Sequence, residues 1–74
     1  MGGDVIVCGA LDDLRSPLVR FLQEAARLGP VRAWPWPDEV IRQVEGREPR
    51  FPLEERVYFL QAVRYVHRVE LGHP

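Results

Sequence analysis

The sequence predicts a small three-layer α/β domain, in which helices flank a three-stranded parallel sheet in the order β-α-β-α-α-β. The first observation behind this prediction is a short apolar run, Val5–Cys8, which ends at a glycine and is typical of a parallel strand. The second is a helical apolar stripe that ends at Gly29-Pro30, and the third is the alternation of residues from Tyr65 to Leu71.

Length and composition limit the class of protein. The 74 residues allow one domain, which we expect to span residues 1–74, and 46% hydrophobic with 28% charged residues is typical of a soluble globular chain. No apolar run approaches the ~18 residues of a membrane span, and the first residues lack the basic start of a signal peptide. The single cysteine excludes an internal disulfide and favours a reducing cytoplasm.

The charged residues exclude lysine-dependent sites and argue against binding to nucleic acid. All ten basic residues are arginine, so the chain has neither the lysine of a phosphate-binding P-loop nor a lysine for Schiff-base formation. The net charge of −1, with acidic and basic residues interleaved, gives no basic stripe. We therefore expect neither a nucleic acid nor a membrane as a partner.

The first half of the chain predicts a strand, a loop and a helix. Val5–Cys8 forms the buried first strand, and the residues from Gly9 to Arg15 form the loop. Ser16 is the expected N-cap, with Pro17 at the first helical position. The helix has an apolar stripe that should face the core, made of Leu18, Phe21, Leu22, Ala25 and Leu28.

The second half predicts a short strand, two helices and a last strand. Val31–Trp34 is the second strand, and two prolines after it should leave it short or open on one side. A brief helix starts at Pro37 or Asp38 and runs through Val44, and a polar loop follows. The third helix, Leu53–Arg64, has a buried stripe of Leu53, Val57, Leu60 and Val63. Residues 65–71 form the alternating last strand, before a frayed end at 72–74.

Parallel sheets bind ligands beyond the carboxyl ends of their strands, which here is the loop from Gly9 to Ser16. It contains neither a G-x-G-x-x-G motif nor a P-loop. Arg15, beside a helix N-terminus, can bind an anion. The alternative is that Asp12 and Asp13 form turns and that Arg15 is a solvated charge.

Other candidate residues have a structural alternative as well. Cys8 is either a small core hydrophobe or a nucleophile, and with His67 and His73 it matches no zinc spacing, so we predict no metal site. Trp34 and Trp36 share one face of the second strand, where they either pack in the core or form an interface. Of Tyr58 and Phe59, adjacent on one helix, one should be exposed.

An ordered set of short motifs covers nearly the whole chain. It comprises Gly9 with Asp12, Ala25 with Leu28-Gly29, Asp38-Glu39, Gly46-Arg47 with Pro49, Glu55-Arg56 and Arg64-Tyr65-Val66. This set resembles the cytidylyltransferase-like nucleotidyltransferases, and among them the glycerol-3-phosphate cytidylyltransferases. The resemblance implies a Rossmann-like fold and, in active members, CTP with Mg²⁺ at the site.

The chain departs from that family at its catalytic motif. Where the family has H-x-G-H, this sequence has Arg15, Ser16, Pro17 and Leu18, so both histidines and the glycine are replaced. Glu45 stands where the family has a lysine, and His67 where it has an aspartate. The family's second half, with its serine- and threonine-rich nucleotide motif, has no counterpart in 74 residues.

These departures predict a truncated, catalytically inactive domain that keeps the fold for self-association, as a homodimer, and retains binding of a phosphate or nucleotide. The ligand-binding candidates are Gly9, Asp12, Arg15, Ser16, Arg47 and Arg56. Arg56 has a structural alternative, a surface ion pair with Glu54, Glu55 or a nearby loop. Two other functions remain open: an active nucleotidyltransferase with an atypical or partner-completed site, and an interaction subunit that uses Trp34 and Trp36.

Overall fold

A computed structural model describes residues 3–71, and its elements follow the predicted order. The strands and helices are β1 (Val5–Gly9), α1 (Ser16–Ala26), β2 (Val31–Pro35), α2 (Asp38–Glu45), α3 (Leu53–Ala62) and β3 (Val66–Val69). The residues from 72 to 74, predicted to form a frayed end, lie outside the described part. No helix within residues 3–71 has the length and apolar character that crossing a membrane requires.

The three strands form one parallel sheet in the order β1-β2-β3. In β1 and β2, Val5 pairs with Val31 and Gly9 pairs with Pro35. Each crossover returns through a helix, as parallel strands require. Three parallel strands with their helices confirm the predicted α/β, Rossmann-like fold class.

The core lies on one face of the sheet. Alternate residues of the strands place Val7, Val31 and Ala33 on this face. Helices α1 and α3 both contribute to the same cluster, through Leu22 and Leu60, neither of which has any exposed surface. Within residues 3–71 both long helices therefore pack on one face, while Ile6, Cys8, Arg32 and Trp34 alternate to the other. The three-layer arrangement predicted from the sequence is thus wrong for α1 and α3, which lie in one layer.

Strand β1 is not the buried strand that its apolar run predicts. It lies at the edge of the sheet, where Ile6 is 41% exposed and Cys8 is exposed, so the core position expected for Cys8 is wrong. The stripe of α1 extends beyond the core in the same region. Phe21 is 53% exposed and Leu28 74%, because they lie on the side of α1 toward this edge.

β2 ends at a proline, and a register shift interrupts its pairing with β3. β2 continues to Pro35, one residue further than expected, and its last amide bond to β1 runs from Trp36 N to Gly9 O (2.8 Å). β3 pairs with β2 only as far as Val69, so the missing N–H of Pro35 breaks no pair on that side. The strict alternation predicted for β3 is wrong, since a register shift places both Val66 and Val69 opposite core residues of β2.

The turn between α1 and β2 depends on Gly29. This residue has φ +156°, and a Cβ built on it would lie 2.6 Å from the carbonyl oxygen of Gly3. The chain before β1 therefore passes directly against this turn. No other residue type fits here without moving the backbone.

Candidate functional site

Three loops meet beyond the carboxyl ends of β1 and β2. They are the loop from Gly9 to Arg15, the Trp36-Pro37 link before α2, and the segment 46–52 between α2 and α3. This is the end of the sheet where the sequence predicts a ligand. Asp12 of the first loop and Arg47 of the third are hydrogen-bonded to each other, and Arg56 of α3 donates to a backbone oxygen in each of the three loops.

Asp12 joins the first loop to the third. It is a buried carboxylate that accepts two hydrogen bonds from Arg47, Nη1 to Oδ2 at 2.7 Å and Nη2 to Oδ1 at 3.1 Å. Its Oδ2 also accepts the backbone N–H of Arg50 at 2.7 Å. Arg47 in turn donates to Glu45, so the guanidinium lies between two carboxylates.

These contacts shift the pKa values of both Asp12 and Arg47. The hydrogen bonds from Arg47 lower the pKa of Asp12 to about 2, against the opposing effect of burial. The same bonds raise the pKa of Arg47 above its ordinary value. Asp12 and Arg47 are thus an ion pair at neutral pH, and the carboxylate is not a candidate general acid or base in that range.

Arg56 joins all three loops from beneath. Its side chain is fully buried and donates to the carbonyl oxygens of Phe51 (2.9 Å), Ala10 (2.9 Å) and Trp36 (2.6 Å). The remaining contact is an ion pair with the carboxylate of Asp38, the first residue of α2. The surface ion pair expected for Arg56 is therefore wrong, because its position in α3 points into the protein.

The N-cap residue of α1 also differs from the predicted one, Ser16. The helix begins at Ser16 itself, Arg15 occupies the N-cap position in an extended conformation, and no side chain caps the helix. Arg15 is 70% exposed and pairs with Asp13, Nε to Oδ1 at 2.5 Å and Nη2 to Oδ2 at 2.9 Å. This pair lowers the pKa of Asp13 and raises that of Arg15.

The structure thus divides the predicted ligand-binding residues. Gly9, Asp12, Arg47 and Arg56 form hydrogen bonds that hold the loops together, whereas Arg15 and Ser16 are exposed at the surface. The sequence reading missed Asp38 and Arg50 as members of this end. The burial of Arg56 could have been predicted from the sequence, since residues 53, 56 and 60 share one face of a helix.

The other candidates lie away from these loops. The Trp34 indole Nε1 donates to Glu70 Oε1 at 2.6 Å, and its ring lies 5.7 Å from the Arg32 guanidinium. Tyr58 is 73% exposed while Phe59 packs against the core, which confirms that one of the two is exposed. No three His, Cys, Asp or Glu side chains within residues 3–71 are grouped to bind a metal; His73 is outside that range.

Comparison with curated proteins finds archaeal FAD synthases. The FAD synthase of Thermococcus kodakarensis is 38% identical over 71 residues, which cover 95% of this chain and 48% of the relative. That of Pyrococcus horikoshii is 37% identical over 79 aligned positions, which cover 100% of this chain and 53% of the relative. The chain spans about half the length of the curated relatives it matches. No family model matches the sequence.

Among solved structures, the chain is similar to the lipopolysaccharide core biosynthesis protein from Thermoplasma volcanium GSS1. The two superpose with a TM-score of 0.84 at 27% sequence identity, over 95% of this chain and 57% of the other. The similarity therefore includes the sheet, its helices and the loops described above.

Proposed function

Because the chain belongs to the cytidylyltransferase-like nucleotidyltransferase family, we propose that it is a non-catalytic member that keeps the fold for self-association and binds a phosphate or nucleotide anion. The observation that carries the proposal is the replacement of H-x-G-H by Arg15, Ser16, Pro17 and Leu18 at the start of α1. We place the protein in the reducing cytoplasm, where the exposed Cys8 stays a free thiol.

The replaced residues remove what the transfer reaction needs. Nucleotidyl transfer depends on positioned hydrogen-bond donors and positive charge around the reacting phosphate. Pro17 has no N–H to donate, and Leu18 packs against the hydrophobic core instead of facing the loops. Each missing donor costs about 3 kcal/mol of transition-state stabilisation, so their combined loss removes catalysis.

Anion binding is supported by the cations that stay exposed at this end. Arg15 stands in the first loop with its guanidinium in solvent, and Arg50 in the third loop is exposed too. Asp13 already pairs with Arg15, so an incoming phosphate competes with a carboxylate. We therefore expect weak binding, with Mg²⁺ as a counterion for a triphosphate such as CTP.

Calorimetry with CTP and with ATP, each with Mg²⁺, tests the binding. We expect a dissociation constant in the millimolar range, weakened several-fold in Arg15→Ala because the exposed guanidinium is lost. Arg20→Ala removes an exposed arginine of α1 outside the loops and is the matched control. If millimolar nucleotide gives neither heat nor a thermal shift, the binding proposal is wrong.

A second candidate is an active nucleotidyltransferase with an atypical or partner-completed site, and the sequence similarity to FAD synthases favours it. FAD formation from FMN and ATP, and pyrophosphate release from CTP and glycerol phosphate, test this candidate. If the chain is non-catalytic, we expect neither FAD nor pyrophosphate to form, whether the chain is assayed alone or together with proteins encoded beside it. Turnover that survives purification with a second polypeptide would contradict it.

A further inference from the structure

Two of the arginines near the end of the sheet where the three loops meet are fully engaged within the chain. The Arg47 guanidinium uses all three of its nitrogens, on two carboxylates and one backbone carbonyl oxygen. Arg56 likewise uses each nitrogen, on three carbonyl oxygens and one carboxylate. An incoming anion would have to break these contacts, so neither residue is suited to bind it.

Two other arginines, Arg15 and Arg50, act on the carboxylate of Asp13. Arg15 binds it with two N–H groups, Nε to Oδ1 at 2.5 Å and Nη2 to Oδ2 at 2.9 Å. Arg50 is placed close by, because its backbone N–H donates at 2.7 Å to Oδ2 of Asp12, the residue before Asp13. The hydrogen bond from Arg15 lowers the pKa of Asp13, and the charge of Arg50 adds to that effect. One carboxylate therefore lies in the field of two guanidinium groups.

The contact of Arg15 with Asp13 has the geometry of an arginine that binds an oxyanion ligand. A carboxylate and a phosphate both offer two oxygen atoms to the fork of a guanidinium, and arginine binds either of them in the same bidentate manner. The backbone supports this position, since the N–H of Arg15 donates to the Asp13 carbonyl oxygen at 2.8 Å. Because the two residues are close in the chain, the carboxylate has a high effective concentration at the guanidinium.

We propose that Arg15 and Arg50 form the anion site of this protein and that the Asp13 carboxylate is its internal occupant, which a ligand phosphate replaces. The inference rests on the proposed anion binding and specifies its residues and its ligand class. Two arginines and one aspartate leave the site with one surplus positive charge. When a phosphate takes Arg15, the released Asp13 still has the charge of Arg50 nearby.

The internal carboxylate sets a requirement on the ligand. An anion with a single negative charge, such as a phosphodiester, has no advantage over a carboxylate that is already tethered to the site. A group with two negative charges interacts about twice as strongly with each guanidinium. Terminal phosphates have close to that charge near neutral pH. We therefore expect the site to select terminal phosphate groups, as in pyrophosphate or a nucleoside triphosphate, and to reject phosphodiesters.

Calorimetric titration with sodium pyrophosphate, in buffer without divalent cations, tests the role of Asp13. Asp13→Asn keeps the shape of the side chain and removes its charge, so we expect it to bind pyrophosphate about tenfold more tightly than the wild type. In an Arg15→Ala background the same substitution should strengthen binding by at most about twofold, because the contact that it releases is already absent. An equal gain in both backgrounds would mean that Asp13 acts through long-range charge alone, and the proposal would be wrong.

A second variant tests the participation of Arg50. Arg50→Ala in the Asp13→Asn background should weaken pyrophosphate binding several-fold, because one of the two cations is lost. Unchanged affinity would overturn the two-arginine site. Asp4→Asn is the matched control, since it removes one negative charge before β1, at the opposite end of that strand from the loops. Its affinity should stay within about twofold of the wild type, and thermal unfolding confirms that each variant is folded.

Dimethyl phosphate tests the ligand class, because it is a phosphodiester with one negative charge. We expect it to bind Asp13→Asn far more weakly than pyrophosphate does, and equal affinities would contradict the selection of terminal phosphates.

The outcomes separate this inference from the anion binding on which it rests. If neither the wild type nor Asp13→Asn binds pyrophosphate or CTP at millimolar concentrations, both are overturned. If the wild type binds and Asp13→Asn binds no more tightly, anion binding stands and only the role of Asp13 as internal occupant is overturned.

Discussion

Asp12 and Arg47, 35 positions apart in the sequence, form a bidentate ion pair that closes the loop after β1 onto the loop before α3. The carboxylate is buried, and the guanidinium reaches it from the surface side of the loops. Because bidentate pairs fix orientation as well as distance, this contact sets the spacing of the two loops. Its consequences for stability can be measured.

Acid should weaken the fold through Asp12. Its pKa is about 2 in the folded protein against 3.8 as the ordinary value, so its contribution to stability is present above pH 4 and is lost as pH falls toward 2. The shift corresponds to roughly 2 kcal/mol. Urea unfolding between pH 5 and pH 2 should show the decline in the wild type and a shallower one in Asp12→Asn. Asp4→Asn, which leaves Asp12 in place, should keep the wild-type slope.

Replacement of Arg56 should be among the most damaging single changes. Arg56→Met keeps the apolar stem but leaves Asp38 and three carbonyl groups without their buried donor. Breaking one side of a buried ion pair costs about 3–5 kcal/mol of unfolding free energy. Arg20→Met, at an exposed position, should stay within about 0.5 kcal/mol of the wild type in the same denaturant experiment. Equal losses in both variants would contradict the structural role of Arg56.

Gly29 and Gly46 form a matched pair for a backbone test. Both have positive φ, but a Cβ at Gly29 meets the Gly3 carbonyl at 2.6 Å, whereas one at Gly46 meets nothing within 4 Å. Gly46→Ala should cost about 1–2 kcal/mol, from backbone strain alone. Gly29→Ala should cost about 3 kcal/mol, because the close contact adds to that strain. Thermal unfolding compares the two, and a smaller loss at Gly29 would disprove the close approach.

The indole of Trp34 reports on Glu70. Hydrogen bonds from Arg32 and Trp34 lower the pKa of this carboxyl to about 2, so Trp34 donates to a charged acceptor at neutral pH. Glu70→Gln replaces that acceptor with a neutral one and should shift the Trp34 indole N–H proton resonance upfield. The Trp36 indole is an internal reference in the same spectrum. Arg68→Ala, which removes another partner of Glu70, should move the Trp34 resonance less.

The order of elements could be predicted because local signals agree with the fold. Pro17 marks the first turn of α1, Gly29-Pro30 follows its end, and the prolines after Trp34 limit β2. Each of these residues restricts its own backbone, so its effect does not depend on distant parts of the chain. The α2 prediction succeeded for the same reason, since Gly46 ends the helix in the left-handed conformation.

Residue environments were harder to predict because they depend on neighbours far along the chain. The apolar run of β1 predicts burial, but the strand is at the edge of the sheet, and this exposes Ile6 and Cys8. For Arg56 the sequence predicts either ligand binding or a surface ion pair, although helical spacing places it beside the buried Leu60. Its acceptors include Ala10, 46 positions away, and no local pattern identifies such a partner.

The contacts of Arg56 also determine how the loops move. One guanidinium binds the backbone after β1, the backbone after β2 and the entrance to α3 at the same time. None of the three segments can shift without changing its hydrogen bond to the guanidinium that also binds the other two. A molecule that displaces any one loop therefore also displaces the guanidinium to which the other two loops are bound. The three loops are coupled through Arg56 even where they do not contact one another.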